Sequence, residues 1–174
     1  MARSFESIPL DCSCLWLCTQ DPSFPPSDRP HRVWAIAPKL GLLSGDAERL
    51  RKVAEFYLGV PYDFGGQRKI SLDCSGFIRR LFLEAYGLNL PHNSTSIFDR
   101  GKSVSRDALR PGDLVFFNNF GFIDHGCIHM GKNCFIHSAT SVGVSYSTLD
   151  APYFVDHYAG ARRLKGGVTP GWRA

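Results

Sequence analysis

The chain has 174 residues, 44% of them hydrophobic and 21% charged, with a formal net charge of +4. This is enough for one domain with a substantial core and too little for two of ordinary size, and the ordinary globular composition excludes disordered and fibrous classes. The basic residues are dispersed, as at Arg49, Arg51 and Lys52, at Arg79 and Arg80, and at Arg162, Arg163 and Lys165. A nucleic-acid partner is therefore not expected, although a faint positive field suits a substrate that carries carboxylates.

Taken from the start, the chain shows no run approaching the roughly 18 apolar residues of a membrane span. Glu6, Pro9 and Asp11 interrupt what would be the apolar core of a cleavable export signal, so a cytoplasmic setting is preferred and the cell envelope is the alternative. Residues 1–45 collect turn signals at Pro22, Pro25, Pro26 and Pro30 between two short apolar runs, and read as an N-terminal extension, a pair of strands laid on the main body. Cys12, Cys14 and Cys18 lack the second cysteine pair of a structural zinc site, so no metal and no cofactor is expected. A chain that needs a free thiol belongs more naturally in a reducing compartment.

From Asp46, a capping residue, Ala47, Leu50, Ala54 and Tyr57 repeat at helical spacing until Gly59 stops them. The turn-rich segment PYDFGG, 61–66, leads into LDCSGFIRRLFLEAY, 72–86. Its apolar residues Cys74, Phe77, Ile78, Leu81, Phe82 and Ala85 make one stripe of an amphipathic helix, with Asp73 or Ser71 as the cap and Gly87 as the stop. Cys74 falls in the first turn, where unpaired N–H groups and the positive helix end favour the thiolate. Taken alone, this cysteine reads as a small core hydrophobe, since most buried cysteines are inert.

Ser94 is expected to cap a short helix ending near Gly101. Strands follow at roughly 113–117, 125–130, 134–138, 142–147 and 159–164. Helices first and strands after define an α+β domain with an antiparallel sheet packed on helices. Centring the turn of HGCIHMGKNCFIH on Gly131 sets His125 directly opposite His137, close enough for one imidazole to bond the other. Cys127, His129 and Phe135 share that face by alternation, while Ile128, Met130, Cys134 and Ile136 point the other way.

A nucleophile needs a base within reach, and the base works best when a third group fixes its tautomer. Cys74, His125 and His137 fit those roles in that order. The same residues also read as a metal site formed with Cys74 or Cys127, or as two unrelated surface histidines.

The segments GVPYDFGG, LDCSGF, GKSVSRDALRPGDLVFF, the His125 strand, FIHSAT and APYFVDHYAGARRL resemble, in order and across about 120 residues, the NlpC/p-sixty family of bacterial cell-wall cysteine peptidases. The likeness is to its compact, Spr-type members, including the spacings of 51 residues from Cys74 to His125 and 12 from His125 to His137. It implies a papain-like fold over residues 46–165, followed by a C-terminal tail, 166–174. The implied function is a cysteine endopeptidase cutting peptidoglycan stem peptides or muropeptides, first at the γ-D-glutamyl to meso-diaminopimelate bond. The alternatives are the diaminopimelate to D-Ala cross-link, another amide or acyl substrate, or a non-catalytic or metal-binding module. By the same resemblance Cys74 is the nucleophile, His125 the base, His137 the orienting group, and Tyr62 an oxyanion donor. Asp73 and Ser75 are implied to hold the substrate's free amino group, against a plain capping role. The usual HVGIY strand is HGCIH here, which puts a second thiol, Cys127, near His125 and makes a Cys74–Cys127 disulfide a conceivable oxidative switch.

Overall fold

The structure is a computed structural model and describes residues 45–164. The N-terminal strand pair, the three early cysteines and the C-terminal tail expected from the sequence lie outside the described residues. In chain order the elements are α1 (Gly45–Phe56), β1 (Gln67–Arg68), β2 (Ser71–Leu72), α2 (Cys74–Tyr86), α3 (Ser94–Phe98), β3 (Lys102–Val104) and β4 (Leu114–Asn118). These are followed by β5 (Ile123–Gly131), β6 (Cys134–Ala139), β7 (Gly143–Thr148), α4 (Pro152–Asp156) and β8 (Tyr158–Arg163). Six strands form one antiparallel sheet in the order β3-β8-β4-β5-β6-β7, and β1 and β2 make a separate hairpin.

The alternation of the strands divides the core in two. On one face Leu114, Phe116, Ile128 and Ile136 pack with Leu50, Phe77, Ile78, Leu81 and Phe82 of the helices and with Tyr57 just after α1. Each fully buried side chain of this size contributes about 1.5–3 kcal/mol. On the other face Val115, Phe117, Cys127 and Phe135 pack with Phe154 and Tyr158. The helical stripe of α2 thus faces the sheet as its spacing predicts, and the expected strands lie within one or two residues of the observed ones.

The hairpin joining β5 to β6 departs from the expectation. Ile128 pairs with Ile136 and His129 with Phe135, so the register sits two residues from the one that opposed His125 to His137. The turn is Lys132–Asn133, both at positive φ, rather than a loop centred on Gly131. This is the two-residue hairpin geometry that matches strand twist, and Asn tolerates it well. A two-residue shift keeps every side chain on its predicted face.

The pairing also stops early. β6 bonds β5 only from Ile136 onward to the turn, while it continues beside β7 to Ala139, and β5 runs on beside β4 back to Ile123. The two strands part beyond Ile128 and Ile136. The N-terminal end of α2 enters that opening, where Ser138 Oγ donates to the Leu72 carbonyl at 2.6 Å.

Candidate active site

Asp73 is the cap of α2: its carboxylate accepts from Gly76 N at 2.6 Å, and Gly87 closes the helix in the left-handed conformation. Ser71, the other candidate cap, lies in β2. Cys74 is consequently the first helical residue, 8% exposed. The preceding loop is bound tightly to this end, through Leu72 N to Pro61 O at 3.2 Å and Asp73 N to Gly66 O at 3.0 Å. A Cβ on Gly76 would stand 2.1 Å from the Gly66 carbonyl, so only glycine permits this approach. The loop brings the half-buried Tyr62 close enough to Cys74 for their charges to interact.

The sulfur sits where β5 and β6 have parted. It lies 3.6 Å from Ser94 Oγ and 3.8 Å from the Asp124 carbonyl, and the Gly126 and Ser75 N–H groups favour its thiolate. Asp124 and Gly126 are the residues on either side of His125, so the thiol is docked on the backbone that carries the imidazole. The His125 ring stacks on Phe117, and its Nε2 is 2.8 Å from His137 Nδ1. His137, 4% exposed, has its ring edge-on to Phe135 and its Nε2 3.4 Å from Ser147 Oγ. The two histidines therefore meet as expected, but along the diagonal of the ladder.

This pairing fixes the tautomers. With Nε2 of His125 engaged by His137, Nδ1 is the nitrogen left to accept a proton. It can do so only if Nε2–H donates to His137 Nδ1, which makes His137 Nε2–H the donor to Ser147. The chain of donors runs outward from His125 and ends on a hydroxyl.

Electrostatics at rest differ from the sequence expectation. Burial pushes the Cys74 thiol up, and the Asp73 charge adds to this, outweighing the Ser94 hydroxyl and the two N–H groups that favour the thiolate. Burial likewise holds His125 down to about 4, against the pull of Asp124. His137 lies well below the ordinary imidazole value, first by burial and then by the neighbouring His125. The thiol and the imidazole are thus both neutral at rest. Burial and the nearby acidic groups raise the Tyr62 phenol, which keeps it a proton donor.

Several site residues escaped the sequence reading. His92 Nε2 lies 2.9 and 2.8 Å from the two oxygens of Asp73, and Ser75 Oγ donates to Asp73 Oδ1 at 3.0 Å. The carboxylate expected to await an amino group is engaged within the protein. Ser94 does not cap α3: Asn93 does, accepting from Ser96 N at 2.9 Å, and the helix ends at Phe98 rather than near Gly101. The Ser94 hydroxyl turns inward to the sulfur instead. Asp124 Oδ2 accepts from Asn119 Nδ2 at 2.7 Å, while its Oδ1 is buried without a partner. Cys127 is wholly buried, and both it and Cys74 are free thiols. Among the described residues no group of three His, Cys, Asp or Glu side chains is disposed to hold a metal ion.

Comparison with known proteins places the chain in a family and a fold. The sequence model of the NlpC/P60 family matches residues 59–163. The murein DD-endopeptidase MepS/murein LD-carboxypeptidase of Escherichia coli (strain K12) is 45% identical over 106 residues, covering 61% of this chain and 56% of that protein. The gamma-DL-glutamyl hydrolase of Bacillus subtilis (strain 168) is 35% identical over 120 residues, covering 67% of this chain and 29% of that protein. The chain thus spans about half the length of the first relative and under a third of the second. Among solved structures, an NlpC/P60 family protein from Bacillus cereus ATCC 10987 superposes with a TM-score of 0.64 at 31% identity, over 67% of this chain and 39% of that one. The helices and antiparallel sheet are those of the papain-like domain the resemblance implied.

Proposed function

The chain belongs to the NlpC/P60 family, and from this premise we propose that it is a cysteine endopeptidase hydrolysing amide bonds in peptidoglycan stem peptides, with residues 46–165 as its catalytic domain. The observation that carries the reading is the thiol of Cys74 seated on the main chain at both sides of His125, whose ring is held by His137.

In the reaction the Cys74 sulfur attacks the scissile carbonyl as its proton passes to His125 Nδ1. His137 Nδ1 accepts from the imidazolium, keeps the ring in place and spreads its charge. The oxyanion is held by the Cys74 N–H at the helix end and by the Tyr62 hydroxyl, two neutral donors that act where charge appears. His125 then protonates the leaving amine, and a thioester remains. A water, deprotonated by the same imidazole, cleaves the thioester and returns the thiol.

Of the bonds implied by the resemblance, the diaminopimelate to D-Ala cross-link is favoured here over the γ-D-glutamyl bond. The relative at 45% identity carries a DD-endopeptidase name. In addition, Asp73 already accepts from His92, Ser75 and the Gly76 N–H, which weakens the case for a free stem-peptide amine beside the thiol. The γ-D-glutamyl reading is kept because the 35% relative is a gamma-DL-glutamyl hydrolase. Mass spectrometry of products from one cross-linked muropeptide dimer and one tripeptide separates the two readings. Conversion of the dimer to monomers supports the first, release of an L-Ala-D-Glu fragment supports the second, and equal product from a Cys74→Ala protein would refute both.

A further inference from the structure

Asp73 places a carboxylate one residue from the reacting sulfur, in a site where burial already disfavours a thiolate. An unbalanced negative charge there opposes the attack, because it opposes every increment of negative charge on sulfur. Yet Asp73 is well suited to its other task, accepting the Gly76 N–H that fixes the first turn of α2. The conflict is resolved by the residue two positions before Ser94. His92 approaches both carboxylate oxygens with one ring nitrogen, at 2.9 and 2.8 Å, and since a carboxylate only accepts, that nitrogen carries the proton.

We propose that His92 is a positioning residue for the nucleophile: by donating Nε2–H to both oxygens of Asp73 it fixes the capping carboxylate and draws part of its charge away from Cys74. Three properties of the arrangement support this. The pair is close and partly shielded, with side chains 22% and 11% exposed, where a hydrogen bond to a carboxylate meets less competition from water than at an open surface. Asp73 receives Ser75 Oγ and Gly76 N as well, so its carboxylate is held in one place. Finally, His92 and Ser94 come from the same short segment, which therefore contacts the sulfur directly through Ser94 Oγ and through Asp73 by way of His92.

The inference rests on Cys74 as the nucleophile of the proposed function, and its test reads the thiol without any peptidoglycan substrate. The other groups that bear on this sulfur, Tyr62, Asp124, His125 and Cys127, are left unchanged. Iodoacetamide alkylation is followed at the Cys74-containing peptide by mass spectrometry between about pH 5 and 10, in the full chain and in three variants. With His92→Gln the thiolate titration moves to higher pH, and the rate at pH 7 falls about tenfold. Adding Asp73→Asn, which keeps the cap and removes the charge, restores the rate to within about twofold of the unmodified protein. Asp73→Asn alone changes it less than about threefold, because most of that charge is already taken up by its three donors.

An unchanged profile in His92→Gln overturns the proposal, as does a loss that persists in the double variant, which would mark a purely structural role. Should His92→Gln fail to fold, Asp73→Asn alone still decides. A tenfold gain in rate there would mean that the charge stood unbalanced, and the proposal fails, whereas a small change upholds it. A protein that alkylates as expected but cuts no muropeptide upholds this inference and removes the proposed function.

Discussion

The hydroxyl of Ser138 is bonded to the carbonyl of Leu72 across 66 positions of sequence, and this one contact ties the residue after His137 to the residue before Asp73. It sets the distance between the strand that carries the orienting imidazole and the helix end that carries the sulfur. Ser138 is fully buried, so Ser138→Ala leaves the Leu72 carbonyl without its partner. The expected cost is about 1–3 kcal/mol of stability, read from the urea midpoint. Activity should fall further than the loss of folded protein explains, since the spacing of the site relaxes.

Removing the three proposed reacting groups should give a graded series. Cys74→Ala abolishes turnover, and His125→Ala comes close to it, because no other group in the site is placed to take the thiol proton. His137→Ala leaves more activity, on the order of a hundredfold below wild type, since water can replace part of an orienting hydrogen bond. His137→Asn, whose side-chain oxygen can accept from His125 Nε2–H, should recover part of that loss. Single-turnover rates on one muropeptide substrate test the order.

Tyr62→Phe removes one of the two oxyanion donors and leaves the ring in place. The expected loss is about tenfold to a thousandfold in kcat with little change in KM, because the bond forms only when the carbonyl oxygen takes up charge. A change confined to KM would mean that the phenol binds the ground state instead.

Acid should destabilise the fold through its buried histidines. His137 and His129 are 4% and 3% exposed, and burial is the first cause that lowers both imidazoles. The unfolded chain therefore takes up protons near pH 6.5 while the folded protein does not. Stability is full above that value and declines as pH falls through and below it, by up to about 1.4 kcal/mol per pH unit for each such group. Urea midpoints measured from pH 8 to 5 check the sign. Within the folded protein His125, held down to about 4, stays neutral through this range, so the acid limb of kcat/KM should lie below the ordinary histidine value.

The parts of this molecule legible in its sequence are those with local causes. The α2 stripe, its Asp73 cap and its Gly87 stop follow from spacing and cap chemistry within fifteen residues, and the structure reproduces each. The strands are legible from alternation, and the faces of Cys127, Ile128, Phe135 and Ile136 survive even the altered register, since parity is insensitive to a shift of two. The register itself was not legible, because Gly131, Lys132 and Asn133 allow more than one turn and the choice rests on backbone conformation. The two-residue strands β1 and β2 are too short to show an alternation. His92 and Ser94 were missed for a different reason. Their importance arises from what α3 packs against, and nothing in the segment PHNS announces a nucleophile twenty residues away. The direction of the Cys74 shift has the same origin: a helix end is a local property, while burial belongs to the whole fold.

The parting of β5 and β6 leaves the amide hydrogen of Gly126 facing the Cys74 sulfur where a regular ladder would supply an oxygen. Sulfur is a weak acceptor, so this proton is held less firmly than its neighbours along β5. Once the thiol is acylated or alkylated, that acceptor is altered and the proton becomes free to exchange with solvent. The deuterium uptake of a single glycine thus becomes an internal gauge of whether the nucleophile is at rest or occupied.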